Sequence, residues 1–176
     1  MMRLNSLSMK NFKKYRGFVK VEFQDGLTGI LGGNGSGKST IVEAIAWALY
    51  GSRASTVRRD FIKCSRASES DDLEVRLSLN VDGQEMTILR AMRGKSLSPE
   101  ARLAIDGDLV ATGTREVDAR LEEILKINFS DFMKTFYARQ KDLDNLIKDR
   151  GSEKREYLLA LLGLDEVRER ALVEIR

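Results

Sequence analysis

Residues 27–51, LTGILGGNGSGKSTIVEAIAWALYG, constrain the fold more than any other part of the chain. Gly32, Gly37, Lys38 and Ser39 fit G-x-x-x-x-G-K-[ST], a loop whose backbone N–H groups curl around phosphate oxygens. The curl needs residues free in φ, which Gly32, Gly33, Gly35 and Gly37 supply; Asn34 tolerates the left-handed region better than most. Ahead of the loop, the apolar LTGIL reads as a buried parallel strand. Behind it, Ile41, Ala44, Ile45, Ala48 and Leu49 recur at helical spacing, and Gly51 stops the run. Strand, glycine loop and helix in that order place a phosphate at a helix N-terminus, where the dipole favours anions. The expected ligand is a nucleoside triphosphate such as ATP with Mg²⁺, held by Gly33, Asn34, Gly35, Ser36, Gly37, Lys38, Ser39 and Thr40. Lys38 would bridge the β- and γ-phosphates as a point charge, and the Ser39 hydroxyl would complete the Mg²⁺ shell.

The chain has 176 residues, enough for one domain or one domain and the start of another. It has a single cysteine, Cys64, and no histidine, which excludes an internal disulfide, a His metal site and a His-based triad. No run of eighteen apolar residues points to a membrane span, and the N-terminal segment lacks the apolar core of a signal peptide. A reducing cytoplasm is the expected compartment. Net charge is only +3, yet the basic residues cluster. Arg3, Lys10, Lys13, Lys14 and Arg16 occupy the first sixteen positions without an acid, and residues 53–66 hold Arg53, Arg58, Arg59, Lys63 and Arg66 against Asp60. Arg58 and Arg59 could read a nucleic-acid backbone or form a solvated charged face; composition leaves both open.

GFVKVEF alternates, with Val19, Val21 and Phe23 on one face of a half-buried strand. LEVRLSLNV and QEMTILRAM, joined by Asp82-Gly83, read as a hairpin, and ARLAI, Asp106-Gly107 and DLVATG as another. Pro99, the only proline, falls in an expected loop, KSLSPE. Beyond it the pattern is helical: Thr114 caps a helix carrying Val117, Leu121, Ile124 and Leu125, Ser130 caps a second, and Ser152 opens a third. LDEVRERALVEIR then spaces Leu164, Val167, Ala171 and Ile175 like the first turns of a coiled coil.

A hydrolytic site also needs an acidic residue at a strand end for Mg²⁺ and a group to orient the attacking water. Asp165-Glu166 follow apolar residues, but the flanking spacing is helical from Glu156 to Ile175. No LSGG-like run is present. Gln140, in FYARQKDLDNL, is a candidate for reaching Mg²⁺ or water, although a glutamine near a helix end is usually only solvated. The chain therefore carries half a site.

MKNFKKYRG, GGNGSGKSTIVEAIAWALYG, FIKCS, TFYARQKDLDNLI and REYLLALLGLDEV, in this order and at these separations, resemble the N-terminal ATPase segment of the Rad-fifty/SbcC family of DNA double-strand-break repair proteins. The resemblance covers essentially the whole chain. It implies an ABC-type head of α/β class, with a mixed sheet, antiparallel hairpins and flanking helices. Residues 1–151 would be the N-terminal lobe, and 152–176 would lead into a coiled coil where this chain stops. It implies that Gln140 takes the catalytic glutamine-loop role beside Mg²⁺, with Lys38 the catalytic lysine. Lys13 matches a basic residue near the phosphates that is often arginine, and Ile62, Lys63 and Cys64 match a segment beside the base. The implied partners are the C-terminal lobe of the same protein, a second head, an Mre-eleven-type nuclease and double-stranded DNA, in a nucleoid-associated setting. Two other readings differ in class: an SMC-like or recombination-mediator head that tethers DNA without a nuclease, and a P-loop kinase with a complete site of its own.

Overall fold

A computed structural model describes residues 2–55, 58–127, 129 and 132 of the chain. The chain divides into two compact units, Met1–Leu125 and Lys126–Arg176. The second lies almost wholly outside the described residues. So do Gln140, Asp165-Glu166, the helices expected after Ser130 and Ser152, the coiled-coil start and the boundary at 151.

In the first unit six strands form one sheet: β1 (Met2–Lys10), β2 (Phe18–Glu22), β3 (Leu73–Val81), β4 (Gln84–Arg93), β5 (Ser98–Ile105) and β6 (Asp108–Thr112), in the order β2-β1-β3-β4-β5-β6. Every neighbouring pair is antiparallel. Both expected hairpins form. Asp82 and Gly83 have φ of 51° and 92°, and Asp106 and Gly107 have 51° and 90°. Two consecutive left-handed residues give a turn whose twist matches that of the flanking strands.

Three elements differ from expectation. β1 was not foreseen, because a bulge at Asn5, between Leu4 and Ser6, breaks its alternation: Leu4 pairs with Leu79, and Leu7 with Leu77. Pro99 lies inside β5, opposite Met92. β6 pairs only with Arg102 to Ile105, so the stretch around Pro99 has one open side, where a residue without an N–H is tolerated. The third difference is the expected parallel strand over 27–31. These residues form no regular strand, and Leu27 and Leu31 are fully exposed. An apolar segment becomes a strand only when a neighbouring edge satisfies its backbone, and no described strand lies beside it.

One face of the sheet carries the core: Leu7 and Met9 of β1, Leu73, Val75, Leu77 and Leu79 of β3, and Met86 and Ile88 of β4 are all buried. Two helices cover it, α1 (Lys38–Tyr50) and α2 (Thr114–Leu125). α1 is buried along most of its length; Ala44, Ala46 and Ala48 let its backbone lie close, and Trp47 packs against Phe12 with ring centroids 5.6 Å apart. α2 is amphipathic, with Val117 and Leu121 inward. It starts after Gly113 (φ 85°), whose carbonyl accepts the Val117 N–H at 3.1 Å.

Arg90, only 3% exposed on β4, ties these layers together. Its Nε donates to the Ala48 carbonyl at 2.7 Å, and its Nη2 to the Leu49 carbonyl at 3.1 Å and Asp118 Oδ1 on α2 at 2.5 Å. The last carbonyls of a helix have no intrahelical partner, and here a guanidinium supplies it. Burial pulls the Arg90 pKa below its ordinary value, and the Asp118 carboxylate opposes that shift. The side chain stays charged. Gly51, at φ 58°, leaves it room: a Cβ there would stand 2.8 Å from Arg90 Nη1. Arg90→Ala is expected to lower stability by about 2–4 kcal/mol, read from urea unfolding, because it strands two buried carbonyls and a partly buried carboxylate.

Candidate phosphate-binding cleft

The loop before α1 has the conformation that the glycine spacing demands. Gly35 and Gly37 are left-handed, at φ 76° and 105°, and Gly37 is the N-cap of α1. Asn34, expected to tolerate that region, does not use it. The Ser36 N–H donates to Gly33 O at 3.3 Å and the Thr40 N–H to Gly37 O at 2.9 Å, which closes the turn. α1 has no side-chain cap and no acid in its first turn, so its positive end is left for an external anion. Lys38 reaches back across the loop, with Nζ donating to Gly32 O and Gly33 O, each at 2.8 Å. An ammonium has three donors, so one remains for a ligand.

Two further segments complete the cleft. The β1–β2 connection is organised by Asn11, which is buried and left-handed (φ 53°). Its Nδ2 donates to Asp72 O and its Oδ1 accepts from the Gly17 N–H, both at 2.9 Å, while its carbonyl accepts the Cys64 N–H at 2.8 Å. The loop it shapes presents Lys13, Lys14 and Tyr15. The Tyr15 ring lies over Gly37, where a Cβ would meet it at 3.2 Å. On the other side, the turn after the short 3₁₀ segment Arg59–Phe61 joins this loop: Lys13 N–H donates to Ile62 O at 2.8 Å, and Phe12 bridges Lys63.

The cleft these segments enclose has a volume of about 560 Å³. Lys13, Lys14, Lys38 and Lys63 line it against only Glu43 and Asp60, a balance suited to a polyanion. Gly35, Gly37, Ser39 and Thr40 also line it, whereas Gly33, Asn34 and Ser36 are exposed and do not line it. Ser39 is exposed at the cleft and adjoins Lys38. A single hydroxyl beside a phosphate site suits Mg²⁺, which keeps phosphate and water ligands. Among the described residues no cluster of three His, Cys, Asp or Glu could hold a metal by itself.

Of the expected base-contacting segment, only Lys63 lines this cleft, and its Nζ donates to Glu69 O at 2.8 Å; Ile62 and Cys64 are buried, at 1% and 3% exposure, and do not line it. Arg58 and Arg59 are exposed, and Arg58 lies 3.5 Å from Asp60. The other basic residues of that stretch are engaged: Arg53 with Glu122, and Arg66 with Lys14 O. Sequence reasoning missed Tyr15, Glu43 and Phe61. Glu43 had a signal, since it lies four residues from Ser39 and so on the same helical face. Tyr15 and Phe61 had none.

The fold and the loop define an α/β P-loop head of the ABC type. A model of the AAA domain matches residues 6–174, and the chain belongs to that family. Its curated relatives include the DNA double-strand break repair Rad50 ATPases of Methanococcus maripaludis, 31% identical over 94% of this chain, and Methanocaldococcus jannaschii, 32% identical over 94%. The chain spans 16% of the length of each. Among solved structures it is similar to the SMC head domain from Thermotoga maritima, with a TM-score of 0.56 and 24% identity over 84% of this chain and 51% of that one. It is also similar to the recombination mediator protein RecF with ATP, with a TM-score of 0.55 and 21% identity over 98% of this chain and 42% of that one. These two likenesses speak for the fold.

Gly37→Ala tests the loop directly, since the new methyl meets the Tyr15 ring in a backbone conformation that L residues avoid. It is expected to lower stability by about 1–2 kcal/mol and to abolish binding of inorganic tripolyphosphate in titration calorimetry.

Proposed function

We propose that this chain is the ATP-binding half of a DNA double-strand break repair ATPase. One observation carries the reading: left-handed glycines deliver the acid-free N-terminus of α1 into a cleft lined by four lysines. Main-chain N–H groups and the α1 dipole would take the phosphate oxygens, Lys38 would move from the loop carbonyls to the β- and γ-phosphates, and Lys13 would add a second cation. Ser39 would hold Mg²⁺, whose chemistry is to neutralise phosphate charge as the γ-phosphoryl group leaves. Gln140, outside the described residues, would complete the site from the glutamine loop.

The incompleteness has support in the fold. Leu27 and Leu31 lie just ahead of the loop and are fully exposed, as expected of an apolar segment whose neighbours lie in a C-terminal lobe. A γ-phosphate shared by two heads would favour the engaged dimer, because it completes both half-sites at once, and its loss on hydrolysis would release them. That cycle would gate DNA binding and an Mre-eleven-type nuclease. The names of the Rad50 relatives support the repair role.

The test is ATP turnover by this chain with and without its C-terminal complement. Turnover is expected only with the complement, and Lys38→Ala is expected to abolish both turnover and ATP-dependent head association in light scattering. Brisk turnover by the chain as an isolated monomer would overturn the half-site reading. Repeated purification of the full-length protein without any nuclease would favour the tether.

If the 58–59 cluster contacts DNA, Arg58→Glu with Arg59→Glu is expected to reduce the slope of log affinity against log salt by about 2, measured by fluorescence anisotropy with duplex DNA.

A further inference from the structure

A carboxylate beside a polyanion site is a liability, because it repels the ligand and offsets the surrounding cations. Glu43 occupies such a place. It leaves α1 on the face that carries Ser39 and lines the cleft together with Lys38. Its Oε2 stands 2.9 Å from Lys13 Nζ, with the two side chains 35% and 20% exposed.

The Lys13 end of this pair is fixed at the backbone. Lys13 is left-handed, at φ 47°, and its N–H is held by Ile62 O at 2.8 Å. Its four-carbon stem would otherwise be free to sample rotamers, and a flexible lysine loses that freedom when it binds. Asp60, the other acid lining the cleft, lies beside Arg58.

We propose that Glu43 is a positioning residue for Lys13: its carboxylate holds the ammonium over the phosphate end of the cleft, so the ordering is done on folding and not on binding. One N–H of the ammonium stays on Glu43, and the other two are presented to phosphate oxygens. The gain from the oriented cation exceeds the repulsion of the ligand by Glu43. The proposal rests on the nucleotide-binding reading above and adds a residue to it.

A double-mutant cycle in the full chain tests it, using Glu43→Gln, Lys13→Met and the pair, with inorganic tripolyphosphate as ligand, without Mg²⁺ and then with it. Thermal melts verify folding, and Lys13→Gln is a second background should Lys13→Met fold poorly. Glu43→Gln alone is expected to weaken binding about two- to fivefold, as for a partly exposed ion pair. In either Lys13 variant the same change is expected to leave affinity unchanged or to tighten it, since only the repulsion is then removed. Equal weakening in both backgrounds, or weakening only with Mg²⁺ present, would overturn the proposal and make Glu43 an independent or metal-binding group. Tighter or unchanged binding by Glu43→Gln alone would overturn it as well. Failure of the folded wild-type chain to bind tripolyphosphate would be a distinct outcome, one that removes the nucleotide reading itself.

Discussion

The guanidinium of Arg90 on the carbonyls of Ala48 and Leu49 is the interaction on which the rest of the first unit depends. α1 must be buried to pack its alanine face on the sheet, yet burial would strand its last carbonyls away from water. Arg90 resolves that conflict from β4 and reaches Asp118, so sheet and both helices share one buried polar node. With the C-terminal end of α1 held, its N-terminal end has a defined position. That is what an anion site built on a helix terminus requires.

The cleft is built from segments far apart in sequence that bond to one another mainly through backbone. Asn11 gathers Asp72, Gly17 and Cys64 around itself, and the Lys13 N–H closes on Ile62. Lys13, Lys14 and Lys63 thereby line the cleft beside α1, Lys13 paired with Glu43 and Lys63 with the Glu69 carbonyl. Ile62 and Cys64 serve this arrangement through their backbone bonds to Lys13 and Asn11, while their side chains belong to the core. Charge in the cleft is likewise arranged in pairs and not merely summed: Glu43 subtracts from the total but gives Lys13 a direction.

The open features of the unit are as informative as the closed ones. Leu27 and Leu31 display the composition of an interior strand in full exposure, next to the loop that would touch phosphate. The likeness to SMC and RecF heads covers about half or less of those chains, and the Rad50 relatives are several times longer than this one.

Local chemistry made several features readable from the residues alone. The glycine spacing of 32–39 determined the loop, and Asp82-Gly83 and Asp106-Gly107 determined two hairpins, because each depends on a φ preference that a residue carries wherever it sits. The alternation of β3 and the helical spacing of α1 followed for the same reason. Only the tertiary structure decided the rest. β1 was hidden by a bulge that makes sense only beside β3, and Pro99 found a place in β5 because β6 is short. LTGIL stayed out of the sheet for want of a partner edge. Arg90, Tyr15 and the Lys13–Glu43 pair join residues between 22 and 42 positions apart, or on different elements, and no local preference encodes such a meeting. Backbone preference is a property of a residue; a satisfied buried charge is a property of its neighbours, and those are assembled only when the chain folds.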